Sequence, residues 1–267
     1  MKKTAFLLTG LIISINAYCQ KEIPVQMVFV KGGSFFMGSD DPNYHKPEFE
    51  NEKPVHRVSV TDFYLAKYEV TLGQYRKLMG VYPPMYNGVD YGNKYCDDCP
   101  VVTLSWDDAQ EFIKKLNARD HKNYRLPTET EWEYAARGGK YAKGKKYPGS
   151  DKLNTVAWFG KKNGTTSPVG QKQPNELGIY DLAGNVSEYC ADWYGEDYYK
   201  GIIDVVNPKG PATGKVRVMR GGSYFDEGDA CRSVTRSTVD PKVRKWNYGF
   251  RLAMDAPSGK VEEGGKK

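Results

Sequence analysis

Three short segments carry the signals that start a helix, and they limit more than anything else how this 267-residue chain can fold. Thr71 with Gln74 forms a capping-box pattern, opening a short helix that presents Leu72, Tyr75 and Leu78. Ser105 is an N-cap with Asp108 three residues on, and Ala109, Phe112, Ile113 and Leu116 mark one apolar face of an amphipathic helix. Thr128 with Glu131 repeats the pattern and turns Trp132, Ala135 and Ala136 inward. After Gly138 only short strand-like runs remain between turns, such as VRVM and the segment around GFRLA. Long periodic helices are few while Gly, Tyr and Trp are abundant, so the chain reads as a loop-rich α+β protein.

The strands are short as well. VQMVFVKGGSFFMGS, with apolar alternation at Val28 and Val30, predicts two strands separated by the Gly32-Gly33 turn. A polar loop over 40–54 leads to HRVSVTDFYL, read as one further strand. Residues 80–99, rich in Tyr, Gly and Asn, read as a long surface loop, and 256–267 as a disordered tail.

Lys2 and Lys3 precede an apolar run from Thr4 to Ile15, and Ala17 and Cys19 occupy the −3 and −1 positions before Gln20. This predicts a signal peptide over 1–19 and an exported, periplasmic or secreted product. The alternative, a lipid anchor on Cys19, is opposed by Tyr18, which stands where a small residue is expected. The apolar run is short for a bilayer span, and no other segment can serve as one. The formal charge of +6 is spread over interspersed acids and bases, which argues for solubility and does not single out nucleic acid. Without Cys19 the chain keeps Cys96, Cys99, Cys190 and Cys231, an even set that favours disulfides over metal thiolates in an exported protein. Three pairings are open. Cys96–Cys99 could close a local loop and leave Cys190 and Cys231 to staple two distant segments.

Gly178–Trp193, GIYDLAGNVSEYCADW, sets aromatics against carboxylates. Asp181 and Glu188 offer oxygen ligands, and Gly184, free to take positive φ, lets the carbonyls between them turn toward a common point. That is the chemistry of a hard-cation loop. The competing reading is a strand whose acidic residues face solvent.

The motifs VFVKGGSFFMGS, YEVTLGQY, PVVTLSWDDA, RLPTETEWEYAARGG, PVGQKQPNELGIYDLAGNVSEY, RVMRGGSYF and NYGFRLA follow one another in this order. Together, over about residues 25–254, they resemble the sulfatase-modifying-factor, or formylglycine-generating-enzyme, domain family. The resemblance implies a variant of the C-type lectin-like fold across residues 20–255, with two main helices beside small antiparallel sheets. It also implies bound calcium, held by the side chains of Asp181 and Glu188 and the backbone carbonyls of Gly184 and Val186. Asp181 stands where the best-known enzymes carry Asn. A second calcium site of the family would fall between Asn154 and Asn163, in a loop that is shortened here.

In the formylglycine-generating members a substrate cysteine is oxidised with O2 and a copper(I) ion held by two cysteines, soft thiolates for a soft ion. Here Asp226 takes the first of those positions. Cys231 matches the second when counted forward from Gly221, whereas counting back from Arg251 and Arg236 matches neither. The chain is therefore read as non-catalytic. Copper as cofactor and Cys231 as catalytic thiol belong to the alternative, an oxidase of this type acting on a sulfatase cysteine. No HExxH, GxSxG or GxxxxGK[ST] pattern occurs, and His56, entering a strand after Pro54, is read as structural.

From Arg217 to Arg251 arginines and aromatics mix as they do at recognition surfaces. Arg236 and Arg251 read as internal ion pairs. Tyr224, Asp226, Glu227, Asp229, Arg244 and Trp246 match positions that border the substrate groove in the enzymes and are expected to form a ligand-binding groove. Cys190 and Cys231 each lie in a motif expected near that groove and are expected to be joined by a disulfide. The expected function is a calcium-stabilised binding or assembly module of the cell envelope with a protein, peptide or glycan partner. Beside the oxidase, a variable ligand-display protein on the lectin-like fold is the other alternative.

Overall fold

The computed structural model describes residues 23–44, 46–84, 96–162 and 164–257. The signal-peptide segment, residues 85–95 of the expected surface loop and the tail beyond residue 257 lie outside the described residues. All three capping boxes form. In α1 (Leu72–Met79) the Gln74 N–H donates to Thr71 Oγ1 at 3.2 Å while the Thr71 N–H donates to Gln74 Oε1 at 2.9 Å. Ser105 with Asp108 opens α2 (Trp106–Asp120), and Thr128 with Glu131 opens α3 (Glu129–Ala136), in the same reciprocal way. Each box satisfies two backbone donors that a helix start leaves orphaned, and a cap of this kind contributes about 1 kcal/mol. The apolar face of α2, Ala109, Phe112, Ile113 and Leu116, packs with Leu72 and Tyr75 of α1 against Phe250 and Leu252.

The two strands around Gly32-Gly33 are β1 (Met27–Val30) and β2 (Gly33–Met37), and they enter different sheets. The HRVSVTDFYL run is two strands, not one: β3 (His56–Val60) and β4 (Phe63–Ala66). Asp62, in the break between them, accepts the Gly32 N–H at 2.8 Å, and a Cβ on Gly32 would run into the Val60 carbonyl. β1 pairs antiparallel with β4, and β2 with β3. β10 (Ala253–Asp255) adds to β4, and the short β6 (Val205–Val206) lies parallel to β3. A third sheet has the order β8-β7-β5-β9, formed by β5 (Ser187–Trp193), β7 (Arg217–Arg220), β8 (Arg236–Val239) and β9 (Tyr248–Gly249). Its interior strand β5 continues the acidic stretch singled out in the sequence.

α3 is buried on every side, Glu129, Glu131 and Glu133 included. Trp132, Ala135 and Ala136 pack against Val30, Val60, Phe63 and Val218. The carboxylates are held by arginines: Glu129 by Arg236 at 2.6 and 2.8 Å, Glu131 by Arg125 at 2.6 and 2.7 Å, and Glu133 by Arg137 and Arg220. Asp192 on β5 accepts the Glu129 N–H at 2.8 Å, and burial together with the Glu129 charge pushes its carboxyl up to about 8. Between about pH 4 and 8 the unfolded chain thus gives up this proton while the folded chain keeps it, so this group's contribution to stability falls as pH rises through that window. Asp192→Asn is expected to flatten that part of the stability–pH profile in chemical denaturation. An unchanged slope would mean that Asp192 is not its source.

Cys96 and Cys99 are joined, their Cα atoms 5.3 Å apart. The expected Cys190–Cys231 bond is not formed; both residues are free and buried. Cys190 packs with Trp132 and Val218, whereas Cys231 belongs to a separate cluster with Tyr147, Leu153 and Val156. Each is accommodated as a small apolar side chain among its own neighbours.

Candidate functional site

The chain is wound tightly before β5. Asp181, Gly184 and Asn185 all take positive φ (56°, 73° and 59°). A Cβ at Gly184 would run into the Trp158 carbonyl, so only glycine fits there. Asn185 tolerates the left-handed region because its side chain is tied on both ends: Oδ1 accepts the Ser167 N–H at 2.9 Å, and Nδ2 donates to Glu69 at 2.6 Å and to the Ser167 carbonyl at 3.2 Å.

Neither expected metal-binding carboxylate faces solvent, which removes the exposed-strand reading. Asp181 is 3% exposed. Its Oδ2 accepts the Gly170 N–H at 2.6 Å, its Oδ1 is buried without a partner, and burial raises its carboxyl to about 6. Glu188 is fully buried and accepts from Arg251 at 2.6 and 2.7 Å and from the Trp132 indole N–H at 2.8 Å. Arg251 is internal, as expected, and so is Arg236.

A third buried carboxylate, Glu69, escaped the sequence reasoning. It lies just before α1 and accepts the Val186 N–H at 3.2 Å through Oε1 and Asn185 Nδ2 through Oε2. Burial, then the charges of Asp181 and Glu188, push its carboxyl well up. Three carboxylates therefore gather near the one guanidinium of Arg251, whose own charge all three support. The unpartnered Asp181 oxygen, and the two negative charges left uncompensated when all three carboxylates are ionised, fit a hard divalent cation. Among the described residues no three His, Cys, Asp or Glu side chains are arranged to hold a metal ion by themselves.

On the other side of Val186, Ser187 lines a cavity of about 380 Å³ with Gly222, Phe225, Asp226, Trp246 and Asn247. Asp226 Oδ2 accepts from the Ser223 N–H at 2.9 Å and from its hydroxyl at 2.6 Å. Asn247 Nδ2 donates to the same hydroxyl at 3.0 Å, leaving Asn247 Oδ1 buried without a partner. Trp246 meets Phe225 edge-on at 4.8 Å and Tyr224 at 5.9 Å.

Of the six expected groove residues, Asp226 and Trp246 line this cavity and Tyr224 backs the tryptophan. The other three do not line it. Glu227 pairs with Lys162 at 3.0 Å, Asp229 sits near Lys46 and Lys146 at 3.8 and 4.0 Å, and Arg244 is held by Asp108 at 2.6 and 2.9 Å. Ser187 and Asn247 were missed, although both lie within the quoted motifs. Cys231 is fully buried, and burial followed by the Asp226 charge pushes its thiol up to about 12. His56 is buried, with Nδ1 2.9 Å from the Pro54 carbonyl and its ring 4.3 Å from that of Tyr199, a structural placement.

The model of the sulfatase-modifying factor enzyme 1-like domain family matches residues 15–256. The chain belongs to that family. This sulfatase-modifying-factor-like protein is 39% identical over 173 residues to a formylglycine-generating enzyme of Streptomyces coelicolor, a match covering 59% of the chain and 53% of the enzyme. It thus spans about half the length of that relative. Among solved structures, Treponema denticola variable protein 1 superimposes with a TM-score of 0.74 at 29% identity, covering 86% of this chain and 95% of that one. PvdO from Pseudomonas aeruginosa gives 0.72 at 27% identity, covering 89% and 97%. The fold is the C-type lectin-like fold of the formylglycine-generating-enzyme type, with few helices and small sheets.

Proposed function

We propose that this chain is an exported, calcium-stabilised member of the family that binds a protein or peptide in the Asp226–Trp246 cavity and performs no formylglycine chemistry. Asp226 carries this reading. Where the resemblance places a soft copper ligand, a hard carboxylate is held in a turn by two hydrogen bonds from Ser223. Cys231 is buried as a neutral thiol, and Cys190 lies in another cluster. The cavity itself has what recognition needs: the aromatic faces of Trp246 and Phe225 beside an unpartnered amide oxygen on Asn247. Asp181, Glu188 and the carbonyls of Gly184 and Val186 would hold the calcium, which supplies the positive charge that this buried acidic group lacks. A variable ligand-display protein is the second reading, favoured by the likeness to the Treponema variable protein.

Incubation with copper(I), reductant, O2 and a Cys-x-Pro-x-Arg peptide is expected to leave the peptide mass unchanged. Copper-dependent conversion to the aldehyde would overturn the non-catalytic reading and return Cys231 to the reacting groups.

A further inference from the structure

We infer that Glu69 positions the calcium loop and strengthens its hold on highly charged cations without itself ligating the ion. The inference rests on the calcium reading above, and it concerns a residue from a distant part of the chain, 116 residues from Asn185 and 117 from Val186. The carbonyls assigned to the ion belong to Gly184 and Val186, and the backbone between them passes through two consecutive left-handed residues, Gly184 and Asn185. A non-glycine residue in that region costs on the order of 1 kcal/mol, so the conformation needs to be held from outside. Glu69 holds it at two adjacent points, Oε2 accepting Asn185 Nδ2 at 2.6 Å and Oε1 accepting the Val186 N–H at 3.2 Å. Both oxygens accept from the loop itself, so Glu69 acts through the loop rather than on the ion. Outer-sphere carboxylates of this kind orient the groups that do ligate.

Its charge matters as much as its shape. Both Glu69 oxygens accept hydrogen bonds, as those of an ionised carboxylate do, and the three carboxylates of Glu69, Asp181 and Glu188 in that form outnumber Arg251 by two negative charges, which one divalent cation balances. With a neutral residue at 69 the excess falls to one, and a highly charged ion loses more by this than a less charged one. Calcium and a trivalent lanthanide, which takes similar oxygen ligands, therefore report different things: affinity measures the geometry of the loop, and the ratio of the two affinities measures its charge.

The experiment titrates the full chain with calcium by calorimetry and with terbium by indole-sensitised luminescence, since the Trp132 N–H contacts Glu188. Glu69→Gln is expected to weaken calcium binding by about 10- to 100-fold and to lower the terbium-to-calcium affinity ratio. Glu69→Asp, which keeps the charge on a shorter stem, is expected to lose affinity while keeping the ratio. Unchanged affinity in Glu69→Gln, or an equal loss for both ions, overturns the inference. Should the Gln variant not fold, Glu69→Asp and Asn185→Gly, the latter suited to positive φ, still decide it: both must weaken calcium with the ratio unaltered, and undiminished affinity in both refutes the positioning role. A wild-type chain that binds neither ion removes the calcium reading itself, whereas binding that is insensitive to residue 69 removes only this inference.

Discussion

Replacing Arg251 with Met is expected to destabilise the fold by about 3–5 kcal/mol, because it leaves a buried charge without its partner. The guanidinium is fully buried; it donates to both oxygens of Glu188, to the Ala66 carbonyl at 3.1 Å and to the Tyr180 carbonyl at 2.9 Å. Methionine of similar length fills the space but satisfies none of these acceptors, and Glu69 and Asp181 lose their nearest countercharge with Glu188. For a domain of this size the melting temperature should fall by on the order of 10 °C. Arg244→Met is the control. Its Asp108 pair lies on the surface, where such pairs contribute under about 1 kcal/mol. Equal losses in the two variants by urea denaturation would mean that the buried acidic group is neutralised by something other than Arg251.

The helices were legible because their signals are local. Thr71, Ser105 and Thr128 each find their partner three residues on, so a capping box depends on nothing distant. The sheets were legible only as strand segments. β1 and β2 are two residues apart, yet β1 pairs with β4 and β2 with β3, a choice set by which face each strand buries. Charge was the most misleading signal. Glu129, Glu131 and Glu133 carry nothing in the sequence that marks them as internal, yet all three are buried because Arg236, Arg125, Arg137 and Arg220 meet them from positions up to 107 residues away.

The site shows the same division. Asp181 and Glu188 stand out within one continuous motif, but Glu69, which ties that motif to the segment before α1, has no pattern of its own between Tyr68 and Val70. Arg244 looked available for a ligand because sequence shows its charge and not its partner, Asp108, which already serves the N-terminus of α2. The Cys190–Cys231 expectation failed for a related reason. An even number of cysteines counts the thiols available, whereas a bond needs their Cβ atoms about 4 Å apart. Here the two side chains point into separate clusters.

Removing calcium is the other change expected to move stability far. An ion bound only to the native state adds about 3–4 kcal/mol when present at 100 to 1,000 times its dissociation constant, so a chelator should lower the melting temperature by an amount comparable to the Arg251 lesion. Asp181→Ala should abolish most of the calcium-dependent shift, since it deletes the oxygen of this acidic group that is buried without a protein partner. Asp181→Asn, which keeps an oxygen ligand but loses a charge, should retain part of it. Glu188→Ala should also lose the shift, with a lower baseline because Arg251 then stays buried unpaired. The two large effects are coupled. In Arg251→Met the acidic group has one more uncompensated charge, so added calcium should stabilise that variant by more than it stabilises the wild type. Thermal unfolding of the wild type and these four variants with calcium and with chelator reads all of this at once. A full calcium response in both Asp181→Ala and Glu188→Ala would place the ion elsewhere in the molecule, and the excess of buried carboxylate would then have to be carried by protons.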